Sequence, residues 1–322
     1  MHSSTKLRVL VVLALVLSCF SVEVESAKTK EKKKTPSGTP VLWMQPNDIA
    51  SRDLFLGRGG AAMRPDLSRI TFIKEEKGGY SKKYRVRDGS GREWVVKIGK
   101  EAQPETAAVR LLWGIGYLTE VNYLAPQVTI PGKGTFQNVR FEARPDNWRR
   151  LDEWKWTSNP FTGTPQLQGL KIMMALINNW DLKDSNNKIL YAENSPGELQ
   201  YIISDLGATF GHASGTPFFW RITRSRNNPS KYATTKFLEK VKGDTVVIHY
   251  GGRNRGLFKD ISVRDAEWMG GLLAQLSDRQ IQDSFRAANY TPAQIDLLTK
   301  TVRNRTNELL NVRPAERIGR NR

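Results

Sequence analysis

Between residues 69 and 98 the chain reads as three strands in a row, and that pattern restricts the fold more tightly than any other stretch. Residues 69–76 alternate and carry β-branched side chains. Lys77-Gly78-Gly79-Tyr80-Ser81 is a turn, residues 82–87 form a second strand, and Asp88-Gly89-Ser90-Gly91 is a strong hairpin signal. Residues 92–98, with Trp94, Val95 and Val96, make the third strand of an antiparallel meander. Pro104 and Glu105 suit the first turn of a following helix, where Ala108, Leu111, Leu112 and Ile115 recur at helical spacing. Strands over 127–130 and 136–143 then complete a small sheet with one helix.

The rest reads as mostly helical. Leu167, Leu170, Met174 and Ile177 mark a buried helix. Three C-terminal helices announce themselves by N-cap pairs: Ser262 with Asp265, Ser277 with Gln280, and Thr291 with Gln294. No internal repeat is present.

Of 322 residues, 39% are hydrophobic and 25% charged, so the bulk should form a core. The net charge of +18 favours anionic partners. Part of that excess sits in two terminal runs, Lys28 to Lys34 and Arg313 to Arg322, of the kind that is usually solvated. The single cysteine, Cys19, excludes a disulfide framework and a cysteine-based metal site. His2, His212 and His249 are scattered, which disfavours a histidine metal cluster. The sequence carries no zinc-finger, RNP or helix-turn-helix pattern, so no specific nucleic acid is expected.

Residues 1–27 have the form of a secretory signal: Lys6 and Arg8, then an apolar run from Val9 to Phe20 too short to span a bilayer comfortably, then small residues. An uncleaved anchor and lipidation at Cys19 are the rival readings. The expected location is outside the cytoplasm: periplasmic, extracellular or in a secretory lumen, with no membrane span in the mature chain. The expected organisation is a signal at 1–27, a basic linker and irregular lead-in at 28–65, a sheet lobe at 66–143, a mainly helical lobe at 144–312 and a basic tail at 313–322.

The chemistry-bearing stretch follows the buried helix: Asn178-Asn179-Trp180-Asp181-Leu182-Lys183-Asp184-Ser185-Asn186-Asn187. A short strand at 188–191, a turn at 193–197 and a strand at 199–204 lead into Asp205-Leu206-Gly207. Each residue taken singly has a plain structural explanation. Asp181 and Asn186 suit turns, Asp205 a strand end, Lys97 a solvated strand end, Glu105 a helix dipole, and Gly78-Gly79 a hairpin.

The order of the pieces resembles the active site of protein kinases and their atypical relatives. Helix, D-x-K-x-x-N loop, short hairpin and D-x-G follow one another as in that family. The resemblance implies an α+β, bilobal protein-kinase-like fold, with an antiparallel N-lobe sheet plus one helix and a mainly helical C-lobe. It implies Asp181 as the group facing the acceptor hydroxyl and Lys183 on the transferred phosphoryl group. Asn186 and Asp205 match the metal ligands, Lys97 the strand lysine on the nucleotide phosphates, and Glu105 its ion-pair partner. Gly78 and Gly79 sit where the phosphate-covering turn belongs.

There is no G-x-G-x-x-G, Asn179-Trp180 stand where His-Arg is usual, Leu206 replaces Phe, and no Ala-Pro-Glu follows. These departures are similar to phosphatidylinositol 3/4-kinase-like and secreted, Golgi-type or spore-coat-type kinases. The implied activity is an ATP- and Mg²⁺- (or Mn²⁺-) dependent phosphotransferase on a protein, lipid or small-molecule hydroxyl. The alternative is a pseudokinase serving as an exported nucleotide-binding or scaffold module. Trp220, Arg221, Arg224, Arg226 and Lys231 lie where an acceptor would dock, and either greet an anionic acceptor or form a solvated basic loop.

Overall fold

Local backbone chemistry builds the first sheet. The computed structural model describes residues 36–214 and 223–313; the signal segment, Cys19, Trp220, Arg221 and most of both basic runs lie outside them. Strands β2 (Thr71–Glu76), β3 (Lys82–Arg87) and β4 (Glu93–Ile98) form the meander. The β2–β3 turn places Gly78 and Gly79 at φ 93° and 80°, a conformation that side chains with a Cβ resist. In the β3–β4 turn the Asp88 carboxylate accepts from the amides of Ser90 and Arg92, 3.0 Å each, and from Trp94 Nε1 at 2.9 Å. β5 (Asn122–Ile130) and β6 (Gly134–Ala143) complete the sheet in the order β2-β3-β4-β6-β5.

Strand alternation gives this sheet two unlike faces. Tyr84, Val86, Trp94, Val96, Val139 and Phe141 gather on one face as its own core. The other face carries Lys83, Val95, Lys97, Arg140 and Glu142 and looks into a cleft. Helix α1 (Ala102–Gly114) is buried almost all round. Its Ala107, Ala108, Leu111 and Leu112 join the core of the helical lobe rather than that of the sheet. The helix therefore ties the lobes together.

The second lobe is framed by a four-stranded sheet, β1 (Thr39–Val41), β9 (Glu198–Ile203), β8 (Asn187–Ala192) and β7 (Trp148–Asp152), in that order. β1 pairs parallel to β9, and Leu42, Ile49 and Leu54 enter the main core. The irregular lead-in before residue 66 is thus anchored from Thr39 onward, by a contact with a strand far away in sequence.

Helix α2 (Pro165–Leu176) starts at Thr164, whose side chain accepts from the Leu167 amide. It stops at Asn178, which takes the left-handed conformation (φ 53°) that Asn tolerates well. Two small hairpins, β10 (His212–Ser214) with β11 (Thr223–Ser225) and β12 (Leu238–Lys242) with β13 (Thr245–Ile248), flank the short α3 (Pro229–Thr234). Neither the hairpins nor β7 had a sequence signal strong enough to predict them.

The three predicted N-caps close as full capping boxes at α4 (Val263–Ala274), α5 (Asp278–Arg286) and α6 (Pro292–Leu310). Six helices and thirteen strands are present among the described residues. A five-stranded antiparallel sheet with one helix, set against a mainly helical lobe across a cleft, is an α+β, bilobal kinase-like fold. No helix among the described residues is long and apolar enough to cross a membrane.

Candidate active site

Lys97 ends on the cleft face of β4 because Trp94 and Val96 point to the sheet's core. Its Nζ lies 2.7 Å from Glu105 Oε2 on α1 and 3.2 Å from Asp205 Oδ1, 108 residues away. A third carboxylate, Glu101 Oε2, is 3.6 Å away. Burial works against the ammonium charge, yet Glu105, Asp205 and Glu101 together raise the Lys97 pKa above its ordinary value. Glu105 is fully buried, and burial pushes its carboxyl up to about 7 against the pull of Arg140 and Lys97.

The loop after α2 carries the next group. Asp181 is flanked by Lys183 Nζ on Oδ2 and Arg253 Nε on Oδ1, each at 2.8 Å. Asn186 closes a 3-10 turn (Asp184–Asn186), and its Nδ2 donates to the Asp181 carbonyl at 2.7 Å. That bond fixes the amide and leaves its oxygen as the atom suited to a cation.

Asp205 follows β9. Burial tends to raise its carboxyl, but Lys97 and the Gly207 amide hold it below the usual carboxylate range. The backbone of Gly207 lies outside the left-handed region. Its missing side chain matters for space: a Cβ there would come within 2.6 Å of Glu101 Cβ. Gly207 is thus required by a close approach rather than by a left-handed turn.

Gly79, Lys97, Asp181, Lys183, Asn186 and Asp205 all line one cleft of about 730 Å³. Glu105 stands behind Lys97 with 1% exposure, and Gly78 belongs to the turn but not to the lining. Asp205 and Asn186 line the same cleft, where the Ser204 amide donates to the Asn186 carbonyl at 2.7 Å, and each carries a hard oxygen donor of the kind that suits Mg²⁺ together with oxygens from phosphate and water. No cluster of three or more His, Cys, Asp or Glu able to hold a metal exists among the described residues.

Several cleft residues escaped sequence reasoning. Arg140 and Glu142 sit on β6 opposite Lys97 and Val95. Arg140 pairs with Glu105 and, at 2.5 Å, with Glu142. Arg150 pairs with Glu142 at 2.6 Å, and also with Glu120. Burial favours the neutral form of both acids, but Arg144, Arg140 and Arg150 hold Glu142 well below the usual range. Glu120, buried beside that charge, is raised. The only available sequence signal was the alternation of Arg140 and Glu142 with Val139 and Phe141.

Glu101 also pairs with Arg226 from the second lobe and accepts from Ser81 Oγ at 2.6 Å. Of the predicted acceptor-side cations, Arg224 and Arg226 line the cleft, stacked 5.2 and 4.9 Å from the Trp180 ring centroid. Lys231 lies on α3 and does not line it. His212 sits on β10 with Nδ1 3.0 Å from Thr235 Oγ1 and does not line the cleft.

No family model matches the chain, and no curated protein matches it. Among solved structures, the crystal structure of CtkA, a proinflammatory kinase of Helicobacter pylori, is similar over 76% of this chain and 92% of that one. It has 12% identity and a TM-score of 0.43. An apo pseudokinase is similar over 77% of this chain and 90% of that one, with 12% identity and a TM-score of 0.20. The kinase-like plan rests on this chain's own topology and cleft.

Proposed function

We propose that the chain is an exported ATP- and Mg²⁺-dependent phosphotransferase acting on the hydroxyl of a protein, lipid or small-molecule acceptor. The observation that carries this reading is the convergence on Lys97 of Glu105 from the first lobe and Asp205 from the second, at the floor of the cleft that holds Asp181, Lys183 and Asn186. A sheet lobe and a helical lobe each supply half of a site for a compact polyanion.

Each residue then has a task. Lys97, kept charged by its carboxylates, binds phosphate oxygens, and Glu105 orients it. Asp205 and Asn186 hold the metal, which neutralises part of the triphosphate charge when bound. Asp181 orients the acceptor hydroxyl and takes its proton as the new phosphorus–oxygen bond forms and the bond to the leaving diphosphate breaks. Lys183 faces the transferred group. The acceptor reaches Asp181 by displacing Arg253 or Lys183, both about half exposed. The apolar run from Val9 to Phe20 supports export.

The test is metal-dependent ATP turnover by the mature chain beside Asp205→Ala. A loss of at least about a hundredfold is expected, since the substitution removes a charge that binds the metal. Equal turnover in both would overturn the metal role. Binding of ATP with Mg²⁺, seen as a thermal shift, without any transfer would favour the pseudokinase reading.

A further inference from the structure

A buried guanidinium is tolerated when carboxylates or carbonyls take up its charge and its donors. Arg140 has Glu105 and Glu142. Arg305, buried without a carboxylate, donates to the carbonyls of Leu176, Tyr232 and Thr235. Arg110 on α1 has neither arrangement. It is 1% exposed. Its Nη2 donates to the Asn122 carbonyl at 2.6 Å, and its guanidinium lies 5.3 Å from the Tyr123 ring centroid. Its Nε and Nη1 have no hydrogen-bond partner among the described residues. Asp53 attracts it only from beyond ion-pair distance, being engaged with the Leu56 amide at 2.9 Å. Burial lowers the Arg110 pKa to about 10, so the group is still charged at neutral pH.

Arg110 lines a second cavity of about 100 Å³, roughly three waters' share of liquid volume. The cavity shares no lining residue with the catalytic cleft. It lies between the lead-in before β2, helix α1, strand β5 and the residue after α5. Phe55, Leu56, Leu67, Leu124, Ala125 and Ala287 give it an apolar wall, and Phe55 and Leu67 are each 43% exposed at its edge. Arg64 is a second, exposed cation on the lining, and no Asp or Glu belongs to that lining among the described residues. Pro65 and Pro126 lack the amide donors that would hold a peptide backbone. An apolar wall with charge of one sign fits an apolar ligand with one negative end.

We infer that this pocket binds a short aliphatic monocarboxylic acid. The carboxylate faces Arg110 and Arg64 and supplies the missing counter-charge, which acts strongly because the Arg110 guanidinium is out of water. The tail packs against the apolar wall and leaves past Phe55 and Leu67. The site does not depend on phosphate transfer in the cleft, although α1 carries both Arg110 and Glu105.

The test is titration calorimetry of the full chain with hexanoate, hexanol and hexylammonium. Hexanoate should saturate one site with a Kd of about 1 mM or tighter, and the neutral and cationic analogues should bind at least about tenfold more weakly. Leu67→Glu places an anion at the exposed edge and should weaken hexanoate binding at least about tenfold, with the fold intact by circular dichroism. Arg110→Met should abolish binding; if that variant does not fold, Leu67→Glu decides alone. No saturation by hexanoate below about 10 mM overturns the inference. So does equal binding by hexanol or hexylammonium, or undiminished hexanoate binding in Leu67→Glu, which would place the ligand on another basic region of the chain.

Discussion

Taking the Lys97 ammonium out of water is tolerated because three carboxylates surround it, with the Lys97 side chain 3% and that of Glu105 1% exposed. Removing the cation leaves buried acid uncompensated. Lys97→Met is expected to abolish turnover and to cost on the order of 3–5 kcal/mol, read by denaturant unfolding. Glu105 provides a pH test. Its folded pKa of about 7 exceeds the ordinary value of 4.5. Between those values the folded state holds a proton that the unfolded chain has released, so this group makes stability fall as pH rises across that window. The Tm of the wild type relative to Glu105→Gln should therefore decline between pH 4.5 and 7, by a few degrees. A difference independent of pH would contradict the raised pKa.

The loop bearing Asp181 is held by a segment that follows β13. Tyr250 Oη donates to the Asn179 carbonyl at 2.7 Å, the Arg253 amide to Trp180 O at 2.9 Å, and Asn254 Nδ2 to Leu182 O at 2.5 Å. Between them Gly252 passes so close that a Cβ would meet the Tyr250 hydroxyl and lie 2.6 Å from Trp180 Cα. Gly252→Ala should push the loop away from the donors that hold its carbonyls and lower kcat by roughly ten- to a hundredfold, with a smaller effect on the thermal midpoint. An unchanged kcat would show that the brace does not position Asp181. No sequence pattern announced this brace, because its bonds go to backbone carbonyls about 70 residues away. The capping boxes at Ser262, Ser277 and Thr291 were legible, because a cap is settled within four residues.

At the scale of the molecule, ten Lys or Arg side chains and four Asp or Glu line the cleft among the described residues. Arg226 joins the lobes through Glu101 while stacking on Tyr80 and Trp180. Recognition dominated by such a field is screened by salt. Affinity for ATP with Mg²⁺ should fall roughly tenfold between low salt and about 0.5 M NaCl, measured by titration calorimetry. Affinity insensitive to salt would contradict a charge-read cleft.

The sequence by itself determined what depends on neighbours along the chain. That covers the meander, through its glycine and Asp88 turns, and the helix starts, through their caps; it also singled out Lys97, Glu105, Asp181, Lys183, Asn186 and Asp205 as candidates, through a family-like order on the right kinds of element. Tertiary structure alone decided their surroundings. Alternation on β6 puts Arg140 and Glu142 on one face but does not say whether that face meets water or a cleft. Whether Arg226 meets Glu101, Arg253 meets Asp181, or β1 joins β9 depends on how the two lobes pack. Those partners are brought together by the burial of side chains far apart in sequence, and no local propensity encodes that.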